Sequence, residues 1–347
     1  MAGRLVTEFG GNGFVGRHIV QRLANRGDRV RIACRDPESA LFLKPLGDPG
    51  QILLIKANVG VMAEVERAVK GVDAVVNCVG LLAPSGRNTF QRAHVEGAGN
   101  VAKAAKAAGV KSLVQISSLA ADPDSKSDYA RTKSAGENSV LDAFPEAVIL
   151  RPSIIIGPED GFMNMFAKIA RWSPVVPIIG GSILPKFKME AGTGTEWKFP
   201  TFEFSDLGGT HFQPIFVGDV ADAVIKGLDS CAGVDGAQGK VFELAGPRVY
   251  TFRRLMKMML KAIKRSRLVL PYPTPLAYIA AFFMEFIPGK PLTRDQVTLL
   301  QTDNVLSGEN LTIQDLGLEP RGIDSVLPSY LSAYQPPSGR RDRMHEA

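Results

Sequence analysis

The sequence predicts an α/β protein whose first half forms a doubly wound parallel sheet of the Rossmann type. Two observations predict it: short apolar runs alternate with helical segments, and a glycine-rich turn joins the first strand to the first helix. In that turn Gly10, Gly13 and Gly16 have the spacing Gly-x-x-Gly-x-x-Gly. Such a turn lets backbone approach a pyrophosphate, which the N-terminus of the following helix then faces. The opening segment therefore predicts a dinucleotide-binding βαβ unit.

The later strands and helices follow in the order that this fold requires. We predict a helix at 16–24, strands at 29–33 and 52–55, a helix at 63–69, a strand at 74–77, a helix at 94–108, a strand at 113–116 and a helix beginning near Asp128. Ligands of such sheets bind beyond the carboxyl ends of the strands, so the residues there should line one crevice. These residues are Arg35, Asn58, Val59, Cys78, Val79, Gly80, Ser117 and Ser118.

Arg35 ends the second strand, where the adenosine ribose of a dinucleotide is expected. An acidic residue there would bind the 2′-hydroxyl of NAD, whereas an arginine suits the 2′-phosphate of NADP. Arg35 therefore favours NADP(H), while Asp36, one residue later, keeps NAD open. A solvated arginine beside a turn is the alternative interpretation.

Ser118, Tyr129 and Lys133 form a candidate catalytic group. Tyr129 and Lys133 are four residues apart and share a helix face, so the ammonium can lower the phenol pKa for proton transfer. Ser118 would position a carbonyl. The same tyrosine and lysine can instead only hold the nicotinamide ribose, so the sequence leaves open whether the chain is itself an enzyme.

Composition limits the other classes of function. The chain has 347 residues, 45% of them hydrophobic, enough for one large domain or a domain with a smaller lobe. Its three cysteines form no Cys-x-x-Cys pair and its four histidines show no ligand spacing, so no metal site is predicted. We find no signal peptide, presequence or membrane-spanning run, which predicts a chain that starts in the cytoplasm.

The net charge of +6 is concentrated in one segment, residues 251–267. Apolar and basic residues there follow a helical period, which predicts a basic amphipathic helix. A core helix with a solvated charged face and a surface that docks on anionic lipid or an acidic partner both fit. Nucleic-acid binding is not predicted, because no aromatic residues are interleaved with the basic ones. An apolar, proline-broken stretch follows at 268–287.

In their order, these motifs resemble the short-chain dehydrogenase/reductase superfamily, in its extended or atypical branch. Later runs are similar to one family within it, the Rossmann-type accessory subunit of proton-pumping NADH:ubiquinone oxidoreductase (respiratory complex I) called alpha-subcomplex subunit 9. The similar runs are 142–153, 212–221, and above all Thr-Arg-Asp-Gln-Val at 293–297 followed by Thr-Asp-Asn at 302–304. The resemblance extends over most of the chain.

The resemblance implies a tightly held NADPH with a structural role, and other subunits of complex I as partners. It also implies a peripheral position on the arm near the quinone site, in contact with an anionic membrane surface. In a bacterium that is the cytoplasmic side of the inner membrane, and in a mitochondrial homologue the matrix side. Two alternatives stay open: an active NADP-dependent reductase or epimerase acting on a nucleotide sugar or small carbonyl, and a redox-sensing binding module without turnover.

The predicted organisation is an NADP-binding domain at 1–155, to whose sheet some later segments return, and a smaller α/β lobe at 156–335. We expect an inserted, aromatic-rich loop near 183–209 and a flexible tail at 336–347. Glu8 interrupts an apolar strand, and we expect a basic side chain or a water to reach it. The full set of predicted cofactor-binding residues is Gly10, Asn12, Gly13, Phe14, Val15, Arg35, Asn58, Val59, Cys78, Val79, Gly80, Ser117, Tyr129, Lys133, Pro152 and Ile154.

Overall fold

A computed structural model describes residues 3–179, 186–188, 201–203, 209–230 and 236–336. The chain forms two compact units. Unit 1 takes its described residues from 1–159, 213–247 and 305–323, and unit 2 takes its own from 160–212, 248–304 and 324–347. Most of the predicted loop at 183–209 and residues 337–347 of the predicted tail lie outside the described residues.

Sixteen strands occur in the described part of the chain. They are β1 (Leu5–Phe9), β2 (Arg29–Cys34), β3 (Ile52–Lys56), β4 (Ala74–Asn77), β5 (Ser112–Ile116), β6 (Val148–Pro152), β7 (Ile155–Ile156), β8 (Val175–Ile179), β9 (Lys186–Lys188), β10 (Thr201–Glu203), β11 (His211–Phe212), β12 (Ile215–Phe216), β13 (Val241–Leu244), β14 (Tyr250–Thr251), β15 (Leu268–Tyr272) and β16 (Leu311–Thr312).

Ten α-helices lie in the same described ranges. They are α1 (Phe14–Asn25), α2 (Met62–Val69), α3 (Gly97–Ala107), α4 (Asp128–Ala143), α5 (Phe162–Trp172), α6 (Val217–Ser230), α7 (Phe252–Ala262), α8 (Thr274–Met284), α9 (Arg294–Leu299) and α10 (Ile323–Leu331). Shorter helical turns are the 3₁₀ segments Glu38–Leu46, Ile313–Leu316 and Ser332–Tyr334 and the π-helical segment Gln91–Glu96.

Unit 1 is built on one parallel sheet of eight strands in the order β16-β13-β6-β5-β4-β1-β2-β3. The strand order reverses between β1 and β4, and the crevice beyond the carboxyl ends at such a reversal is where ligands of this architecture bind. The central strands are buried because helices cover both faces of a parallel sheet, so their sequences are nearly continuous apolar runs. The predicted doubly wound α/β fold is confirmed.

Two apolar clusters form the core of unit 1, one on each face of the sheet. Val6, Ile32 and Val76 belong to one cluster with residues of α1 and α6, while Phe9 and Val75 belong to the other with residues of α2 and α3. The alternation along β1 places successive side chains in different clusters, as the two-residue period of a strand requires. This packing fixes where each strand ends and therefore where the crevice lies.

Unit 2 contains short two-stranded pairings and helices. β8 and β15 pair in parallel, and β11 and β14 pair antiparallel. The apolar face of α7 is buried, with Phe252, Leu255 and Met259 fully enclosed. Phe162, Phe166 and Phe212 lie with Phe252 in an aromatic cluster whose ring centroids are 5.3 to 6.2 Å apart.

The predicted helices at 16–24 and 63–69 differ from α1 and α2 by one or two residues at their ends, and two other helices differ in how they begin or end. The helix predicted at 94–108 starts with the π-helical segment Gln91–Glu96, and α3 proper begins at Gly97. The basic helix predicted at 251–267 ends at Ala262, because Lys264 adopts a left-handed conformation with φ of 52° and terminates it. Leu268–Tyr272, in the apolar stretch that follows, forms a strand.

Candidate functional site

The glycine-rich turn brings three segments within backbone contact. Gly10 has a positive φ of 86°, and a Cβ placed there would lie 3.2 Å from the backbone of Cys78. A Cβ at Gly16 would lie 2.5 Å from the carbonyl oxygen of Gly10. No side chain caps the first turn of α1 and none of its residues is acidic, so its N–H groups remain available to an anion. The turn therefore fits the pyrophosphate of a dinucleotide.

Two side chains hold this turn in place: Arg17, which the sequence analysis missed, and Asn12, which it predicted as a cofactor-binding residue. Arg17 donates from Nε to the carbonyl oxygen of Gly13 at 3.2 Å, and its guanidinium lies 4.8 Å from the ring centroid of Phe42. Asn12 donates from Nδ2 to Oγ of Ser39 at 3.0 Å. The Arg17–Gly13 bond spans one helical turn, whereas the Asn12–Ser39 bond joins residues 27 positions apart, and no local spacing signals it.

Arg35 and Asp36 are both exposed at the crevice edge beyond β2, but they differ in their contacts. Arg35 is exposed and makes no hydrogen bond or ion pair with any described residue. The carboxylate of Asp36 instead accepts the N–H of Glu38 at 3.1 Å, and its carbonyl accepts the hydroxyl of Ser39 at 2.7 Å. Asp36 therefore caps the turn that follows β2, which leaves Arg35 as the side chain available to a ligand.

A chain of buried amides organises the ends of β4 and β5. Asn77 donates from Nδ2 to Oε1 of Gln115 at 2.8 Å, and Gln115 donates onward to the carbonyl oxygen of Ile116 at 2.8 Å. Oδ1 of Asn77 accepts the N–H of Val79 at 3.1 Å. These bonds fix the backbone of Cys78, Val79 and Gly80, three of the predicted cofactor-binding residues.

The segment after β3 is held in a similar way. Oδ1 of Asn58 accepts the N–H of Gly60 at 3.0 Å, and its own N–H donates to Glu64 at 2.7 Å. Asn100 donates from Nδ2 to the carbonyl oxygen of Val59 at 2.9 Å. The turn at 58–60 is thus fastened to α2 and α3.

Tyr129 and Lys133 lie together on α4. Nζ of Lys133 is 5.9 Å from the ring centroid of Tyr129 and donates to the carbonyl oxygen of Ile116 at 3.3 Å. A Cβ at Gly80 would be 3.4 Å from the same Nζ. Burial lowers the pKa of Lys133 to about 8, against the opposing charge of Glu137. Oγ of Ser118, the third predicted residue, accepts the N–H of Ala120 at 3.2 Å.

The hydroxyl of Ser117 is directed into the protein. It donates to the buried carboxylate of Glu137, which also accepts three hydrogen bonds of 2.9, 3.1 and 2.6 Å from the guanidinium of Arg151. Glu137 follows Lys133 by one helical turn, so the three residues Tyr129, Lys133 and Glu137 mark one face of α4. The side chain of Ser117 therefore takes part in the contact between Glu137 of α4 and Arg151 of β6.

The remaining predicted residues support the crevice through backbone and packing. The carbonyl oxygen of Pro152 accepts the N–H of Leu119 at 2.9 Å, and that of Ile154 accepts the N–H of Ile215 at 3.0 Å. Phe14 begins α1 and lies against the backbone of Gly157, where a Cβ would be 3.3 Å from its ring. Val15 packs against the unit 1 core.

Glu8 lies beneath the glycine-rich turn and is completely buried. No lysine or arginine among the described residues lies within ion-pair distance, so the expected basic neighbour is not found there. Its partner is Cys78, whose Sγ lies 3.8 Å from Oε1, while Oε2 has no hydrogen-bond partner in the described part of the chain. Burial raises the pKa of the Glu8 carboxyl well above its usual range, which favours the protonated acid.

Unit 2 carries an apolar surface on α8 and the turn that follows it. Six large apolar side chains there are between 42% and 75% exposed: Leu276, Ile279, Phe282, Phe283, Phe286 and Ile287. Only Ala277 and Ala281 of the helix are fully buried. Contiguous apolar patches of this kind mark interaction sites. We refer to these six residues as the α8 surface.

The Thr-Arg-Asp-Gln-Val element, residues 293–297, packs against the buried side of α8. Thr293 and Gln296 form a capping box at the start of α9, and the buried Val297 packs with Ala277 and Ala281. Arg294 pairs with Glu285 at 3.0 Å, and its guanidinium lies 5.3 Å from the ring centroid of Phe282. The element therefore has a structural role. Few side chains of α8 are buried, and the contacts of residues 293–297 help to keep that helix in place.

Among the described residues, no helix has both the length and the apolar character needed to cross a bilayer. No group of three or more histidine, cysteine, aspartate or glutamate residues in the described ranges is arranged to hold a metal ion.

The crevice beyond the sheet, the free N-terminus of α1 and the glycine cradle define a nicotinamide-dinucleotide-binding Rossmann protein. A sequence family described as NAD(P)H-binding matches residues 10–156. The solved structure of MoeE5 in complex with UDP-glucuronic acid and NAD has the same fold, with a TM-score of 0.65, 17% identity, and coverage of 94% of this chain and 97% of its own.

Sequence comparison then gives the particular family. NADH dehydrogenase (ubiquinone) 1 alpha subcomplex subunit 9, mitochondrial, from Arabidopsis thaliana is 31% identical, over 96% of this chain and 79% of its own length. The NADH-ubiquinone oxidoreductase 40 kDa subunit, mitochondrial, from Neurospora crassa is 28% identical, over 100% of this chain and 85% of its own length. The chain belongs to the family of alpha subcomplex subunit 9, as the sequence motifs indicated.

Proposed function

We propose that this chain is an accessory subunit of proton-pumping NADH:ubiquinone oxidoreductase that binds NADPH and uses it structurally. The observation that carries the proposal is the similarity to alpha subcomplex subunit 9 over 96% of the chain, which includes the element that orders the α8 surface. An enzyme that acts alone has no need to hold six large apolar side chains in water.

NADPH is the cofactor that the crevice edge favours. The exposed guanidinium of Arg35 has no partner among the described residues, whereas the carboxylate of Asp36 already caps the next turn. A free arginine at this point offers a charge-assisted contact to a 2′-phosphate. When bound, the cofactor would hold the ends of β1, β2 and β4 together and supply a hydride for any reduction.

The proposed attachment uses unit 2. The α8 surface would enter the interfacial layer of an anionic membrane beside partner subunits, and exposed lysines of α7 and the turn after it, Lys257, Lys261 and Lys264, would add charge attraction. The protein would then lie peripherally, on the cytoplasmic face in a bacterium. The buried apolar face of α7 supports a core role for that side of the helix, so only its basic face is available for docking.

A second candidate function is an active NADP-dependent reductase. The observation that favours it is the buried Lys133 beside Tyr129, with a lysine pKa of about 8. At neutral pH the ammonium would favour ionisation of the phenol, and Ser118 would orient a substrate carbonyl. The same arrangement serves a bound cofactor without turnover, since both side chains can hold its ribose.

The first experiment tests attachment and cofactor together. The tagged chain is purified from its own organism after mild detergent extraction, and bound nucleotide is identified by mass spectrometry of the denatured supernatant. We expect NADH:ubiquinone oxidoreductase activity to co-purify, with NADP(H) in near-stoichiometric amount. Recovery as a free protein with no respiratory subunits would refute the proposal.

A pair of variants separates the structural from the catalytic role. Gly13→Val should empty the site and weaken assembly, because a Cβ there would already lie 3.1 Å from the carbonyl oxygen of Gly10. Tyr129→Phe should keep the cofactor and leave quinone reduction nearly unchanged. A large loss of quinone reduction in Tyr129→Phe, with normal cofactor content and assembly, would favour the reductase instead.

A further inference from the structure

His94 is a buried histidine that neither the glycine turn nor the Tyr129–Lys133 pair accounts for. It lies in the π-helical segment Gln91–Glu96 and is 3% exposed. π-Helical segments are uncommon and frequently occur at functional sites. The contacts of its ring reach two of the segments that carry the predicted cofactor residues.

The hydrogen bonds of the ring determine its tautomer. Nε2 lies 3.0 Å from the N–H of Leu81, and a backbone N–H can only donate, so Nε2 is the acceptor. Nδ1 then carries the proton and donates to Oγ1 of Thr132 at 3.0 Å. The hydroxyl of Thr132 donates in turn to the carbonyl oxygen of Asp128, 2.7 Å away. The series of hydrogen bonds therefore runs in one donor-to-acceptor direction, from the N–H of Leu81 through His94 and Thr132 to α4.

The ring also packs against the predicted phenol. His94 stacks on Phe90 with centroids 5.3 Å apart and meets Tyr129 edge-on at 5.3 Å. Burial and the nearby Lys133 charge lower the pKa of His94 to about 3, so the imidazole is neutral at any physiological pH. A neutral ring is what the acceptor role of Nε2 requires.

We propose that His94 is a positioning residue that holds the loop after β4 at a set distance from Tyr129, and so fixes where the nicotinamide end of the cofactor lies. One end of its bond chain is Leu81, next to Gly80, and the other is the first turn of α4, which carries Tyr129. Because the adenine end of a dinucleotide lies across the glycine turn and β2, His94 affects only the nicotinamide end. This inference rests on the proposed binding of NADPH.

The test compares binding of whole NADPH with binding of 2′,5′-ADP, which lacks the nicotinamide half. His94→Phe keeps the ring packing and removes both hydrogen bonds of the imidazole. Thr132→Val keeps the bond to Leu81 and removes the bond to Nδ1, together with the bond from the Thr132 hydroxyl to Asp128. We expect each variant to weaken NADPH about tenfold, the scale of one lost buried hydrogen bond. Binding of 2′,5′-ADP should change less than twofold, and the fluorescence of bound NADPH should shift toward that of the free cofactor.

Matched substitutions control for the helix and for folding. Ser139→Ala removes another α4 hydroxyl that bonds to its own helix, at 3.1 Å to Ala135, but lies away from the ring, and should leave both affinities unchanged. Thr132→Ser keeps the acceptor and should restore NADPH binding. If His94→Phe fails to fold, Thr132→Val still decides the question.

Two results would overturn the inference. One is equal weakening of NADPH and 2′,5′-ADP, which would make His94 a general stabiliser of the fold. The other is unchanged NADPH affinity and fluorescence in folded variants. Failure of the wild-type chain to bind any nicotinamide nucleotide is a different result, since it would refute the proposed function itself.

Discussion

Unit 1 is distinguished by buried carboxylates with several hydrogen-bond partners, and unit 2 by a cluster of exposed apolar side chains on one helix. Unit 1 buries the carboxylates of Glu137 and Glu243 and supplies both with partners: Glu137 accepts from Arg151 and Ser117, and Glu243 accepts from Ser307 and Asn310. Unit 2 instead exposes the large apolar side chains of the α8 surface to water. The ion pair between Arg294 and Glu285 stabilises the helix that carries them. Fixed buried polar groups suit a site that must recognise a small ligand, whereas an ordered apolar face suits attachment to a larger surface.

The largest effect is expected on attachment through unit 2. Changing Phe283, Phe286 and Ile287 together to serine should release the protein from the membrane fraction, because each buried apolar side chain contributes about 1.5 kcal/mol or more. These side chains are at least half exposed, so the fold should survive. The measurement is the distribution between membrane and supernatant after flotation, with bound nucleotide as the check on unit 1.

Two further variants sharpen that result. Reversing Lys257, Lys261 and Lys264 to glutamate removes about 1 kcal/mol of attraction per residue and should weaken attachment in a salt-dependent way. Trp172→Ser removes an 84% exposed aromatic side chain of unit 2 outside the α8 surface and should leave attachment intact. Retention of the triple lysine variant at moderate salt would show that the basic face is only solvated.

A smaller effect is expected at the glycine turn of unit 1. Gly16→Ala would place a Cβ 2.5 Å from a backbone oxygen and 2.6 Å from the Cα of Gly11, so the turn must move. We expect a loss of about 1 to 3 kcal/mol in stability and loss of the cofactor, measured by thermal unfolding and mass spectrometry. Gly161→Ala is the control, because nothing lies within 4 Å of a Cβ there. Equal cofactor content in both variants would contradict the cradle.

The choice of cofactor should depend on one exposed side chain. Arg35→Glu removes a charge-assisted contact of about 1.5 to 3 kcal/mol and sets a carboxylate against the 2′-phosphate. NADPH should weaken by at least tenfold while NADH changes little, as measured by calorimetric titration. Unchanged NADPH affinity would mean that Arg35 is not the selecting residue.

The smallest effect is a pH dependence of stability that originates at Glu8. Its pKa is raised by burial, so above about pH 4.5 the unfolded carboxyl loses its proton while the folded one keeps it. The folded state then binds more protons, and stability falls as pH rises toward the folded pKa. Glu8→Gln does not titrate, so its stability advantage over the wild type should grow steadily as the pH rises from 5 to 8.

Denaturant unfolding at several pH values measures this difference. Glu66→Gln, on the exposed face of α2, is the control and should follow the wild type. A constant difference between Glu8→Gln and wild type across the pH range would show that the Glu8 carboxyl is already ionised in the folded protein.

The sheet of unit 1 could be predicted from sequence because its signals are local. The apolar run at 74–77 matches β4 to the residue, and Gly10, Gly13 and Gly16 mark the turn where the backbone is too close for a Cβ at Gly16 and where we propose that a dinucleotide binds. The family could be recognised for a related reason. The short run 293–297 contains a helix cap, an arginine that pairs with the nearby Glu285, and a buried core residue.

Other features were decided only when distant segments met. The pairing of Glu8 with Cys78 joins residues 70 positions apart, and the bond chain through His94 joins three segments, so no spacing along the chain reveals either. Likewise the amphipathic pattern at 251–267 shows an apolar face but not whether protein or solvent covers it. Periodicity specifies the conformation of a segment, whereas the partner of each side chain depends on tertiary packing, which buried the face of α7 and left that of α8 exposed.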